Sequence, residues 1–224
     1  MMKKLFFILT ISNFIWSHSF ASTCSSVDTN PTIKLNSSFG KLLVDESKNT
    51  SQLTEIAKNY NIVEQGLFAS GLSTVNVNFD ITVNVLAHPS KNKKYCVKPT
   101  DIEIFLGFVS PIIYISNELK KDSCEYNQVL FHEQTHQQIN KSTLEYYLPM
   151  FKEVASAIIK KTPIPETDDL NKMEDAIKFL TETYNQKLSP LVDYIKKEML
   201  KEQQKLDNPE NYQYEAEICA KTID

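Results

Sequence analysis

The chain has 224 residues, of which 23% are charged, and a formal net charge of −4 at pH 7. A mildly acidic chain without a basic cluster offers no electrostatic case for a nucleic-acid partner or an anionic membrane surface. Its length suits one domain with a single buried core.

Met1-Met2-Lys3-Lys4 precedes an almost wholly apolar run, Leu5–Trp16, and then Ser19-Phe20-Ala21. This order reads as a secretory signal peptide over residues 1–21, cleaved after Ala21. The run is too short to span a bilayer, and no later stretch reaches the roughly 20 apolar residues a span needs. The expected product is residues 22–224, a single periplasmic or secreted domain with no integral membrane segment. Loss of Lys3 and Lys4 makes it more acidic. It keeps Cys24, Cys96, Cys124 and Cys219, an even number that predicts two disulfides in an oxidising compartment.

Residues 22–58 are rich in Ser, Thr and Asn and read as a loosely packed arm. Short strands are predicted at Thr32–Leu35 and Lys41–Val44, and a helix at Ser51–Lys58 capped by Thr50. Residues 74–86 alternate strictly, with Val75, Val77, Phe79, Ile81, Val83 and Val85 on one side. Period two means one buried and one wet face, which predicts an antiparallel sheet. His88 to Asn92 reads as a turn, with His88 a solvated loop residue. A second strand is predicted from Tyr95 to Phe108, interrupted near Pro99, and a third over Ile112–Ser116. With Cys96 and Cys124 on neighbouring elements, the expected pairs are Cys96–Cys124 and Cys24–Cys219.

Asp122-Ser123-Cys124-Glu125 reads as a capping box. The helix it opens carries Phe131-His132-Glu133-Gln134-Thr135-His136-Gln137. Positions i and i+4 share a helix face, so His132 and His136 present two imidazoles to one metal ion. Glu133 is then within reach of a metal-bound water as general base. Zn2+ suits neutral imidazole ligands. A second helix is predicted from the capping box Ser142–Glu145 to about Lys161. The stripe Leu170, Met173, Ile177, Leu180, Tyr184 and Leu188 predicts a third, with a cap or kink at Ser189-Pro190. The end, Tyr212 to Cys219, reads as a terminal turn pinned by a disulfide.

A catalytic zinc normally takes three protein ligands. Position 142, where a third histidine follows in the metzincin pattern, is Ser, so a carboxylate is expected. Glu145, Glu153, Glu174, Glu215 and Glu217 are the candidates. Either Tyr114 or Tyr214 is a candidate for stabilising an oxyanion.

The His132-Glu133-Gln134-Thr135-His136 stretch, followed by Ile139, resembles a bacterial family of secreted proteins of unassigned biology, described as zinc peptidases. That family's motif reads His-Glu-Gln-x-His, and its members end in a Tyr-Asp-x-Glu-like segment. Tyr214-Glu215-Ala216-Glu217 is similar to that segment, with Glu215 in the place of Asp and Ile218 where the family tends to have Thr. The resemblance spans roughly residues 60–217 and is weak outside the two motifs. It implies a zincin-like α+β fold and a peptidase activity.

The expected fold is therefore α+β: a small antiparallel sheet, the His-Glu-x-x-His helix, and a mostly helical second half. The expected function is hydrolysis of peptide bonds in a peptide or protein substrate. The alternative is a non-catalytic binding or inhibitory module on the same scaffold. Glu217 is the favoured third ligand. It lies two residues before Cys219, whose disulfide would hold its backbone, and shares a helical face with Tyr214. Glu215 is the alternative.

Overall fold

A computed structural model describes residue 24 and residues 30–60, 67–90 and 93–220. The predicted signal peptide lies outside the described residues. The elements run β1 (Thr32–Asn36), β2 (Leu43–Asp45), α1 (Thr50–Asn59), β3 (Gly71–Pro89), β4 (Tyr95–Ile115), α2 (Cys124–Lys161), β5 (Glu166–Thr167), α3 (Met173–Leu206) and α4 (Pro209–Ala220).

The architecture is α+β, but the sheet is not the predicted antiparallel one. β4 is its centre. β3 runs antiparallel along one side of β4, with Ile81 opposite Ile104. On the other side β1 and β2 pair with β4 in parallel, Thr32 opposite Asp101 and Leu43 opposite Ile112. β5 pairs antiparallel at Tyr95 and Cys96. The correction has a physical cause. Alternation reports which face of a strand is buried and carries no information on the direction of its neighbours. Parallel partners need long crossovers, and here β3 and α1 lie in that crossover. The presumed arm thus supplies two strands. Its helix is capped one residue earlier than predicted: the Asn49 side chain accepts from the Gln52 amide and Gln52 Oε1 from the Asn49 amide.

The second and third predicted strands are one strand. Pro99 and Pro111, which read as breaks, fall at register shifts against β3, opposite Asn84/Val85 and Thr74/Asn76. Pro111 itself is out of the ladder, and Pro99, opposite Val85, adjoins Thr100, which is; a missing N–H is tolerated at or beside such bulges. Ser110 takes φ 52° at the second shift.

The continuous strand also explains the cysteines. The pairs are Cys24–Cys96 and Cys124–Cys219, in place of the expected Cys96–Cys124 and Cys24–Cys219. Cys96 lies at one end of β4 and Cys124 beyond the other, and 21 residues at ~3.3 Å each set those ends about 70 Å apart if straight. Among the described residues no cysteine is free, and no helix is long and apolar enough to cross a membrane. Two disulfides fit an oxidising compartment.

Two long helices cover one face of the sheet. α2 is a single helix where two were predicted. Ser123, not Asp122, caps it by accepting from the Tyr126 amide. The helix runs on through Ser142–Glu145, and Pro149 lies within it. α3 likewise passes through Pro190 unbroken. The odd-numbered side chains Ile81 and Val83 join Ile102, Ile104, Leu106 and Phe108 against Leu144, Phe151 and Ala155 of α2 and Leu180, Tyr184, Leu188 and Ile195 of α3. This core is apolar on every side, so burial drives it at about 25 cal/mol per Å2. It holds the second half of α2 against β3 and β4, while Tyr126, Val129 and Leu130 pack the first half against Ile113 and Ile115 at the end of β4.

Candidate metal centre

The His-Glu-x-x-His motif lies two turns into α2, and His132, Glu133 and His136 are all buried. Helical spacing turns them toward the junction of α3 and α4. There Asp207, the residue that ends α3, points back at both histidines. Its Oδ1 is 3.2 Å from His132 Nε2 and 3.0 Å from His136 Nε2, and the two Nε2 atoms are 3.0 Å apart. His132, His136 and Asp207 thus offer three ligand atoms to one point. Three donors about 2.0–2.1 Å from one tetrahedral ion stand about 3.3 Å apart, close to this triangle.

The surrounding hydrogen bonds test the fit of a cation. An ionised carboxylate only accepts, so His132 Nδ1 donates to Glu215 Oε1 at 3.0 Å. Gln203 donates from Nε2 to the His136 carbonyl at 3.1 Å, which turns its Oε1 to His136 Nδ1. That nitrogen must donate too. In the neutral form of each ring Nδ1 therefore carries the imidazole proton and Nε2 presents a lone pair. The two Nε2 atoms then face each other and a carboxylate oxygen, with no proton left among the three. A metal ion or added protons must lie between them, since bare lone pairs at this distance repel. The donor set, two neutral imidazoles and a carboxylate, suits a divalent metal of the zinc type.

Second contacts hold the three candidate ligands still. The Tyr212 hydroxyl donates to Asp207 Oδ1 at 2.7 Å, and its ring stacks on His132 with centroids 5.3 Å apart. Asn211 Nδ2 donates to Glu215 Oε1 at 3.0 Å. Such partners orient a ligand and set its tautomer. Glu133 stands beside this group against β3. A β-carbon on Gly71 would lie 2.7 Å from its Oε1.

The electrostatics follow from burial and facing charges. Burial alone would lower the pKa of His132. The hydrogen bonds to Asp207 and Glu215 and the nearby Glu133 charge outweigh it and raise the value to about 9 without a metal. Asp207 moves the other way: burial would raise it, but hydrogen bonds from both histidines hold it well below the usual carboxylate range. Burial pushes Glu133 up to about 7, against the attraction of His136 and His132. The Tyr212 hydroxyl is raised by burial and by its bond to Asp207.

The predicted residues fare unequally. His132, Glu133 and His136 are brought together. Glu217 is not. α4 is helical, so Glu215 and Glu217 lie about 200° apart around it; Glu215 turns to His132, and Glu217 is exposed and accepts from Gln213. Glu215 binds Nδ1 of His132, the nitrogen that faces away from Asp207, so its place is behind a candidate ligand. Tyr214 is 65% exposed, and Tyr212 stands at the site in its stead. Tyr114 lies under the Lys48 ammonium. Glu145 pairs with Lys141 at the surface, Glu153 and Glu174 are exposed, and His88 is exposed opposite Cys96 on the sheet. Asp207 is not among the carboxylates expected from the sequence, all of which are glutamates. Its signal is Asn208-Pro209, a cap followed by a first-turn proline, which marks a helix boundary just where a carboxylate can turn inward. Compared with protein-family models, curated proteins and solved structures, the chain matches none.

Proposed function

We propose that this chain is an exported zinc-dependent peptidase, with His132, His136 and Asp207 as the zinc ligands and Glu133 as the general base. The observation that carries the reading is the position of Glu133, buried next to a converging ligand set and on the same helix. Zinc bound there supplies a Lewis acid and a water acidic enough to act near neutral pH.

The chain's own residues do the rest. Glu133 takes a proton from the attacking water and returns it to the leaving amine. In the metal-free chain burial pushes its carboxyl up to about 7, toward the range that suits proton transfer at neutral pH. Glu215 and Gln203 hold the imidazoles with Nε2 facing inward. Tyr212 holds Asp207.

A second reading is a non-catalytic exported binding module with a structural metal. The burial of both histidines at the α3–α4 junction favours it, because structural zinc sites are closed and catalytic ones keep an open position. One experiment separates the two. Protein purified without chelator is assayed for zinc and for hydrolysis of a mixed peptide pool, beside Glu133→Gln. The peptidase reading requires hydrolysis that falls about 100-fold or more in Glu133→Gln while zinc stays bound. Zinc with no hydrolysis of any peptide gives the binding module.

A further inference from the structure

α4 is held in an unusual way. Cys219 is its one buried residue, so apolar burial does little to fasten it. Yet α4 bears two of the side chains that support the metal ligands, Tyr212 and Glu215. Asn211, Glu215 and Cys219 follow at i, i+4 and i+8, which places them in one row along the helix. At the far end of that row Cys219 is bonded to Cys124, the first residue of α2. His132 lies eight residues further along α2, on the helix to which the row is thus tied. The disulfide therefore fixes both helices at one end, and the Glu215–His132 bond joins them one turn further up α4.

We propose that the Cys124–Cys219 disulfide is the clamp of the metal centre: it holds α4 along α2 so that Glu215 and Tyr212 lock His132 and Asp207 in ligating positions. The cysteines are positioning residues, acting through Glu215 and Tyr212. This rests on the reading of His132, His136 and Asp207 as a metal site. The second disulfide does not share the role, because it joins Cys24 to Cys96 at the opposite end of β4.

The test is zinc affinity, by competition with a chromophoric chelator, in the oxidised chain and in two double variants. Cys124→Ser/Cys219→Ser is expected to bind zinc about 10–100-fold more weakly, the usual cost of losing support behind a metal ligand. Cys24→Ser/Cys96→Ser is expected to match the parent within about twofold on the same reasoning. The visible spectrum of the cobalt-loaded protein should change in the first variant and not in the second. Equal affinity in the first variant and the parent overturns the clamp and leaves the metal site standing. Equal losses in both variants also overturn it, because they report general destabilisation. Failure of the parent chain to bind zinc at all overturns the metal reading itself. If the first variant does not fold by circular dichroism, Glu215→Ala in the disulfide-intact chain decides: about a tenfold loss is expected, and unchanged affinity overturns the proposal.

Discussion

A β-carbon on Gly71 would stand 2.7 Å from Oε1 of Glu133 and 2.5 Å from Cγ1 of Val129. The Val129 and Glu133 side chains of the motif helix lie there directly against the strand backbone, which contributes no side chain at Gly71. The bare backbone sets how close Glu133 comes to the sheet, and hence where its carboxyl lies relative to the histidines. Gly71→Ala must push α2 outward or turn Glu133 aside. Overpacking of this kind costs about 1–3 kcal/mol, to be read from urea unfolding. Peptidase activity should fall more than zinc affinity, because Glu133 is displaced and the three ligands are not. Unchanged stability and activity would show that the contact is not tight.

The identity of the third ligand is decided by a pair of substitutions. Asp207→Ala removes a donor that faces both Nε2 atoms, and zinc affinity should drop by more than the roughly 100-fold upper figure for a supporting residue. Glu217→Ala removes an exposed side chain bonded to Gln213 and should leave affinity unchanged. Isothermal titration with zinc measures both. The opposite order would return the ligand to Glu217.

The metal-free chain should lose stability as pH rises. His132 has a folded pKa of about 9 against an ordinary 6.5, so its contribution is complete below 6.5 and is lost on the way to 9. Glu133 is raised from 4.5 to about 7, so the folded state also favours its protonated form and is penalised as pH climbs between those values. Both trends run the same way through pH 6.5–7, and His132 extends the fall to about 9. Zinc displaces the proton from His132, so apparent zinc affinity should rise by up to about tenfold per pH unit below 9. Thermal unfolding with and without zinc across this range checks both statements. A metal-free melting temperature that climbs from pH 6.5 to 9 would contradict them.

Tyr184 is buried in the main core with a hydroxyl that has no hydrogen-bond partner among the described residues. An unpaired buried hydroxyl carries a desolvation penalty of about 1–3 kcal/mol. Tyr184→Phe keeps the ring and removes that group, so it should leave the fold as stable or raise stability by about 1 kcal/mol. Tyr184→Ala, by contrast, should cost about 3–5 kcal/mol through the cavity it opens. Chemical denaturation of the two variants separates hydroxyl from ring.

What could be read along the chain was local. The alternation at 74–85 places Ile81 and Val83 in the core because a strand's period is two whatever surrounds it. The spacing of His132 and His136 puts both on one helix face because 3.6 residues make a turn, and the presence of Glu133 beside them is equally a matter of adjacency. That a metal site at the two histidines would need a carboxylate was also legible, since the chain holds only four histidines. Which carboxylate answers that need was not. Asp207 reaches His132 across 75 residues because α3 packs along α2 and ends beside the motif, a distance set by the shared core. The direction of β1 and β2, the fusion of two strands into β4, and the pairing of Cys124 with Cys219 are of the same kind. Each depends on where a long element ends in space, and that is fixed by burial summed over the whole core, which no local pattern of residues contains.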